Sequence, residues 1–259
     1  SWPNTSRVLA KACSSKSWRL GCLVRATMIR RGRVWLVALG VASGSEEVSS
    51  LGCSFDVASM VGIAKFLRSL EGHPLSTTGD RDLTVWAAVT GIIMPLYSAS
   101  WWPALNQGFA EALKGDGTTL LQLADTYNDR NENGSYSTNL LEANIAISCL
   151  DSRQSADAES MAAENQKVLQ ASSTLGRYWQ FGALTCEQWP FPVAAHPESY
   201  AASGSAPILV IGTTGDPATP YSQAISLANH VLENGHLVTF NGEGHTAYGQ
   251  ENACVNTTV

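Results

Sequence analysis

Residues 206–249 read APILVIGTTGDPATPYSQAISLANHVLENGHLVTFNGEGHTAYG, and the rest of the chain is interpreted outward from them. Pro207 to Gly212 is a continuous apolar run rich in Ile and Val, the pattern of a parallel strand covered on both faces. The GTTGDPATP turn after it holds two glycines and two prolines. The chain therefore leaves the sheet sharply and presents Asp216 at the strand's carboxyl end. Thr219 and Pro220 predict an N-cap and a first-turn proline. Ala224, Leu227, Ala228, Val231 and Leu232 fall on one helical stripe, and Gly235 is placed for a left-handed C-terminal cap. His236 to Phe240 predicts a second strand, after which GEGHTAYG delivers His245 on another glycine-rich turn.

Both polar residues emerge at one edge of the predicted sheet, where chemistry collects in parallel α/β folds. A carboxylate that accepts a hydrogen bond from imidazole Nδ1 fixes the tautomer and leaves Nε2 as a base toward a serine hydroxyl. Asp216 and His245 are thus read as the acid and base of a hydrolase triad, and the order Asp, helix, strand, His suits the α/β-hydrolases. Each residue alone reads more readily as an ordinary turn residue. Their joint context carries the functional reading. A competing motif is rejected: Gly242, Gly244 and Ala247 satisfy a dinucleotide fingerprint, but the chain has only twelve residues left after Ala247, too few for the βαβ unit that motif opens.

With AVTGIIMPLYSASWWPALNQGFAEAL (Ala88 to Leu113), LADTYNDR (Leu123 to Arg130) and LEANIAISCLD (Leu141 to Asp151), the stretch closely resembles the C-terminal part of tripeptidyl aminopeptidase-like α/β-hydrolases. These are mostly secreted actinobacterial serine exopeptidases. The resemblance runs from about Cys53 to Val255. It implies a partial α/β-hydrolase fold with a mainly helical cap, divided as an unmatched segment over 1–52, the cap over 53–204 and the last part of the core over 205–259. The break between cap and core is expected in Tyr200 to Ser205. The resemblance also implies a peptide substrate with a free N-terminus, an acyl-enzyme mechanism and a secreted or cell-envelope location, with no cofactor or metal. Glu142, and second Asp151, are the candidate carboxylates for the substrate's ammonium. Glu142 reads equally as a residue that caps or pairs within the helical bundle. Cys149 and Cys186, both in the implied cap, are the candidate disulfide, as secretion would favour.

The family's nucleophile sits in a G-x-S-Y-G elbow, and these 259 residues contain no such elbow. Ser43 in GVASG has the wrong spacing, Ser54 in GCSFD lacks the second glycine, and Ser205 precedes its strand instead of following one. The expectation is a fragment of the enzyme that is inactive by itself, because an acyl-enzyme needs a nucleophile. An esterase or amidase of the same fold, or a non-catalytic binding product, remains open.

Further out, charge marks a break. Residues 1–45 hold eight Lys or Arg and no acid, whereas the remainder holds eight bases and twenty-two acids. Met28 to Ala42 has a basic start and a brief apolar run, like the front of a signal peptide, but is too short to span a membrane as a helix. A nucleic-acid arm is disfavoured because no binding motif accompanies the charge and the body is acidic. The preferred reading is that residues 1–52 are not family sequence, so that the two core strands lack neighbours and leave an exposed sheet edge.

From Asp56 onward the periodicity is helical. Met60, Ile63, Ala64, Phe66 and Leu67 form a stripe ended by Gly72 to Pro74; Leu83 to Tyr97 forms a helix bent or ended near Pro95; others cover Trp101 to Leu113, Thr119 to Tyr127, Ser135 to Cys149 and Ala156 to Leu175. Trp101, Trp102, Trp179 and Trp189 read either as a substrate channel or as core. The six cysteines form no CxxC pair and no Cys/His metal spacing, which removes zinc and thioredoxin readings. His73, His196, His230 and His236 show no partner pattern.

Overall fold

The computed structural model describes residues 11–14, 24–28, 37–41, 60–152, 155–250 and 252–259. The chain forms two compact units. One joins His196–Val259 with the N-terminal stretch that contains a strand at Lys11–Ser14, and the other runs over Leu20–Ala195. The division falls just before Tyr200 to Ser205.

The helical unit carries α1 (Met60–Ser69), α2 (Val85–Ile93), α3 (Trp102–Ala112), α4 (Thr118–Tyr127), α5 (Leu140–Asp151), α6 (Ala158–Ala171) and the short α7 (Leu184–Glu187). Its core gathers Ile63 and Leu67 of α1, Ile92 of α2, Phe109 of α3 and Leu120 of α4, the apolar stripes that periodicity marks. Helix α2 begins where the Thr84 side chain accepts a hydrogen bond from the Ala87 N–H, which satisfies one of the orphan donors of a helix start. It ends at Ile93, and Met94–Tyr97 tightens into a 3-10 turn, because Pro95 has no N–H to continue the ladder. Gly91 lets α2 close on α4: a Cβ there would lie 2.2 Å from the Leu120 carbonyl oxygen. A disulfide joins Cys149 of α5 to Cys186 of α7. In the same unit, Val24–Met28 and Val37–Val41 (β2 and β3, after Lys11–Ser14 as β1) pair antiparallel.

The second unit is a parallel sheet of β4 (Ile208–Gly215) and β5 (Gly235–Glu243), with β1 on the other side of β5. The expectation of two strands without neighbours is corrected here: the backbone of Lys11–Ser14 lies in register with Val238–Asn241. Four residues reading KACS carry no alternation or apolar run, so only the sheet itself shows the pairing. The connection from β4 to β5 begins as α8 (Tyr221–Ser226) and widens into a π turn over Leu227–Val231, where the Leu232 N–H reaches back to the Leu227 carbonyl. That turn rotates the predicted stripe. Ala224, Ala228 and Leu232 pack with Val210 and Leu237, while Leu227 and Val231 are left exposed. Gly212 gives the connection room, since a Cβ there would meet the side chains of Ala224 and Tyr221 at 2.6 and 2.8 Å. Gly235 is the first residue of β5 and not a left-handed cap. Beyond β5, α9 (Ala253–Asn256) folds so that Val255 buries Ala247 together with Ile211 and Phe240.

Candidate functional site

Strands β4 and β5 run in register from Ile208 opposite Gly235 to Thr213 opposite Phe240, and then slip by one residue so that Gly215 faces Glu243. A bulge of this kind ends pairing and redirects the backbone beyond it. The Thr214 hydroxyl staples it, accepting from the Gly242 N–H at 3.2 Å and donating toward Asn241 Oδ1 at 3.1 Å. Asp216 comes next on one strand and His245 shortly after the end of the other.

The Asp216 carboxylate is 4% exposed and is met by donors on both oxygens. Oδ1 accepts the N–H groups of Ala218 at 2.8 Å and Thr219 at 2.7 Å. Oδ2 accepts the Thr219 hydroxyl at 3.0 Å and the Thr246 N–H at 3.2 Å. His245 Nδ1 lies 3.0 Å from Oδ1 and 3.1 Å from Oδ2. A buried carboxylate is costly unless hydrogen-bonded, and here the turn DPATP supplies the donors by wrapping around its own aspartate. This corrects the expected N-cap. The Thr219 side chain is engaged with Asp216, and the helix starts from Pro220, which has no side-chain cap bond.

The His245 turn places its backbone for the same purpose. Gly244 has φ of +102° and Thr246, a β-branched residue, has φ of +64°, a conformation such side chains avoid. That geometry aims the Thr246 N–H at Asp216. Ala247, 1% exposed, then anchors the turn beneath Val255 of α9. With Nδ1 protonated toward the carboxylate, Nε2 carries the imidazole lone pair, so the arrangement can accept a proton from a hydroxyl.

The other sequence candidates lie elsewhere. Ser205 precedes β4 at its opposite end, so the length of the strand, roughly 25 Å at about 3.3 Å per residue, separates it from Asp216. Ser43 and Ser54 lie outside the described residues. Glu142 sits in the first turn of α5 and is exposed, and Asp151 is the exposed last residue of the same helix. Nine positions apart on a helix, they point to opposite sides, about 13 Å apart along the axis, so they do not form one site. Helix α5 is not a buried apolar helix, because Leu140, Leu141 and Ile147 are all exposed. Trp179 packs against the helical core and Trp101 is exposed. Cys254 is disulfide-bonded.

Thr219 and Thr246 are the site residues that motif reading passed over. The signal for Thr219 was present as Asp-x-x-Thr after a strand, a spacing at which a side-chain acceptor and nearby N–H groups close on each other. Nothing in the sequence marks Thr246, whose contribution is a backbone N–H. Among the described residues, no group of three or more His, Cys, Asp or Glu is placed to hold a metal ion. None of their helices is long and apolar enough to cross a membrane.

A parallel sheet whose strand ends present a hydrogen-bonded Asp–His pair, with a helical unit preceding it in sequence, defines an α/β-hydrolase architecture. Residues 172–259 match the family described as TAP-like protein. Over 190 residues the chain is 35% identical to serine protease Hip1 of Mycobacterium tuberculosis, and over 191 residues it is 36% identical to carboxylesterase B of the same species. Each match covers 72% of this chain and 36% of the relative, so the chain spans about a third of the length of the curated relatives it matches. The chain carries the C-terminal part of a TAP-like α/β-hydrolase.

Proposed function

We propose that Asp216 and His245 are the acid and base of a serine hydrolase that releases short peptides from free N-termini through an acyl-enzyme. In that reaction His245 Nε2 takes the proton of a serine hydroxyl as it attacks the carbonyl, returns it to the leaving amine, and then activates the water that frees the enzyme. Asp216 holds the ring and stabilises the imidazolium. The reading rests on one observation above all, the 3.0 Å approach of His245 Nδ1 to a carboxylate held by backbone donors. The serine belongs to sequence beyond these residues, which lack the elbow; this chain is then the cap and the last core strands of the enzyme and is inactive alone.

Glu142, or second Asp151, pairs with the substrate ammonium. The Cys149–Cys186 disulfide supports a secreted or cell-envelope location, since such bonds persist in oxidising compartments. A second reading, an esterase of the same fold, draws support from the relative named carboxylesterase B.

A fluorophosphonate probe followed by intact mass tests the proposal. The 259-residue chain is expected to stay unlabelled, and a version extended upstream is expected to label only while His245 is present. Stoichiometric labelling of the chain itself would overturn the missing nucleophile, and labelling of an extended His245→Ala version would overturn the role of His245. With the extended version, preference for peptides with free N-termini over N-acylated peptides and simple esters separates the two substrate readings.

A further inference from the structure

The Asp–His pair has a third member that no motif assigns. The Thr219 hydroxyl lies 3.0 Å from Asp216 Oδ2 and 3.4 Å from His245 Nδ1, so one oxygen touches both partners. We propose that Thr219 is a positioning residue of the pair, its hydroxyl acting with the Asp216 carboxylate to hold the His245 proton on Nδ1. The inference rests on the reading of Asp216 and His245 given above.

The donors and acceptors around the carboxylate decide where each proton lies. An ionised carboxylate only accepts, so the single hydroxyl proton of Thr219 points to Asp216 Oδ2. The hydroxyl lone pairs then face His245. Nδ1 is left with three oxygens around it, Oδ1 and Oδ2 at 3.0 and 3.1 Å and the threonine Oγ1 at 3.4 Å, all able to accept its proton and none donating to it. An imidazole nitrogen in such a setting keeps its proton, which forces the lone pair onto Nε2. Without the hydroxyl, Nδ1 loses one of its three acceptors, and the ring and the carboxylate lose the contact that fixes their mutual rotation. The ordinary alternative is that Thr219 only shapes the turn before α8. That role would depend on its β-branched form and its N–H, which donates to Oδ1.

Two substitutions separate these roles because they remove opposite halves of the side chain. Thr219→Val keeps the branched shape and loses the hydroxyl, while Thr219→Ser keeps the hydroxyl and loses the methyl. Both keep the N–H. Thr219 is exposed, so neither change disturbs the core, and Thr219→Ala is a second hydroxyl-free variant. The measurement is the 15N NMR spectrum of the 259-residue chain labelled at histidine, with His245→Gln to assign the signal and the imidazole neutral. The wild type and Thr219→Ser are expected to show the Nδ1–H tautomer, and Thr219→Val and Thr219→Ala to lose at least half of that population. An unchanged tautomer in both hydroxyl-free variants, or a loss in Thr219→Ser equal to that in Thr219→Val, would overturn the inference while leaving the pair intact. A wild-type His245 without its proton on Nδ1 would instead overturn the reading of the pair.

Discussion

Asp216 and Glu142 are both carboxylates that the sequence singles out, yet the two units of the molecule treat them in opposite ways. In the αβ unit the carboxylate is buried, and three backbone N–H groups, a hydroxyl and an imidazole meet it. In the helical unit Glu142 stands exposed on a helix that also exposes Leu140, Leu141 and Ile147. A group held by several fixed donors before any substrate arrives has the preorganisation that orienting a catalytic base requires. An exposed side chain on an apolar helix has the adaptability that binding requires, and it acquires its strength only when a partner removes it from water. Under the proposed function, the contrast gives orientation to one unit and recognition to the other.

The largest effect is expected at Asp216. Asp216→Ala leaves the N–H groups of Ala218, Thr219 and Thr246 without their acceptor in a closed turn, and each such orphan costs about 1–3 kcal/mol. Urea denaturation followed at the αβ unit should register a loss of about 3 kcal/mol or more, and a catalytically complete version should lose on the order of 10⁴ in kcat. A loss below about 0.5 kcal/mol would remove the contrast, because Asp216 would then be no better integrated than a surface residue.

Next is the Cys149–Cys186 bond, which closes a loop of sequence separation 37. By loop-closure entropy its removal in a Cys149→Ser, Cys186→Ser chain costs roughly 3–4 kcal/mol. Hydrogen exchange should show α5 and α7 losing protection while β4 and β5 keep theirs. Equal loss in both units would mean that they do not have separate stabilities.

Glu142→Gln sharpens the comparison from the recognition side. Its stability change is expected within about 0.5 kcal/mol. In the catalytically complete version KM for peptides with a free N-terminus should rise about tenfold, the equivalent of a charged hydrogen bond of about 1.5 kcal/mol, with kcat and the turnover of N-blocked substrates unchanged. A matching loss on N-blocked substrates would show that Glu142 does not read the ammonium.

The smallest effect concerns the helical unit at high pH. Burial, and second the Glu71 carboxylate that accepts its hydroxyl at 3.0 Å, pushes the Tyr178 phenol up to about 12. The folded chain therefore holds this proton more tightly than the unfolded chain does. The resulting stability is fully present below the ordinary tyrosine value of 10.0 and is lost as pH rises through about 12. Tyrosinate absorbance should show one late-titrating group that moves toward ordinary behaviour in Glu71→Gln.

The legible parts of this molecule are those where periodic side chains and local chemistry agree. The strand run before Asp216, the stripe of α1 and the stop at Pro95 depend on neighbours only a few residues away, and they form where the pattern places them. Asp216 and His245 were also readable, because two glycine-rich turns after two parallel strands must end at one edge of a sheet. Thr219 shows the limit. Its local propensity favours an N-cap, and the same hydroxyl is drawn instead to a carboxylate whose burial makes the demand for donors stronger.

By itself, then, the sequence determined the αβ order, the helical unit before it and the meeting of Asp216 and His245 at one sheet edge, since each follows from contacts along the chain or from topology. Only the tertiary structure decided that Lys11–Ser14 adds a strand to β5, that a π turn rotates the helix stripe, and that Thr219 and Thr246 close around Asp216. Those depend on backbone hydrogen bonds, and backbone groups are the same at every residue, so no sequence pattern records which of them will meet.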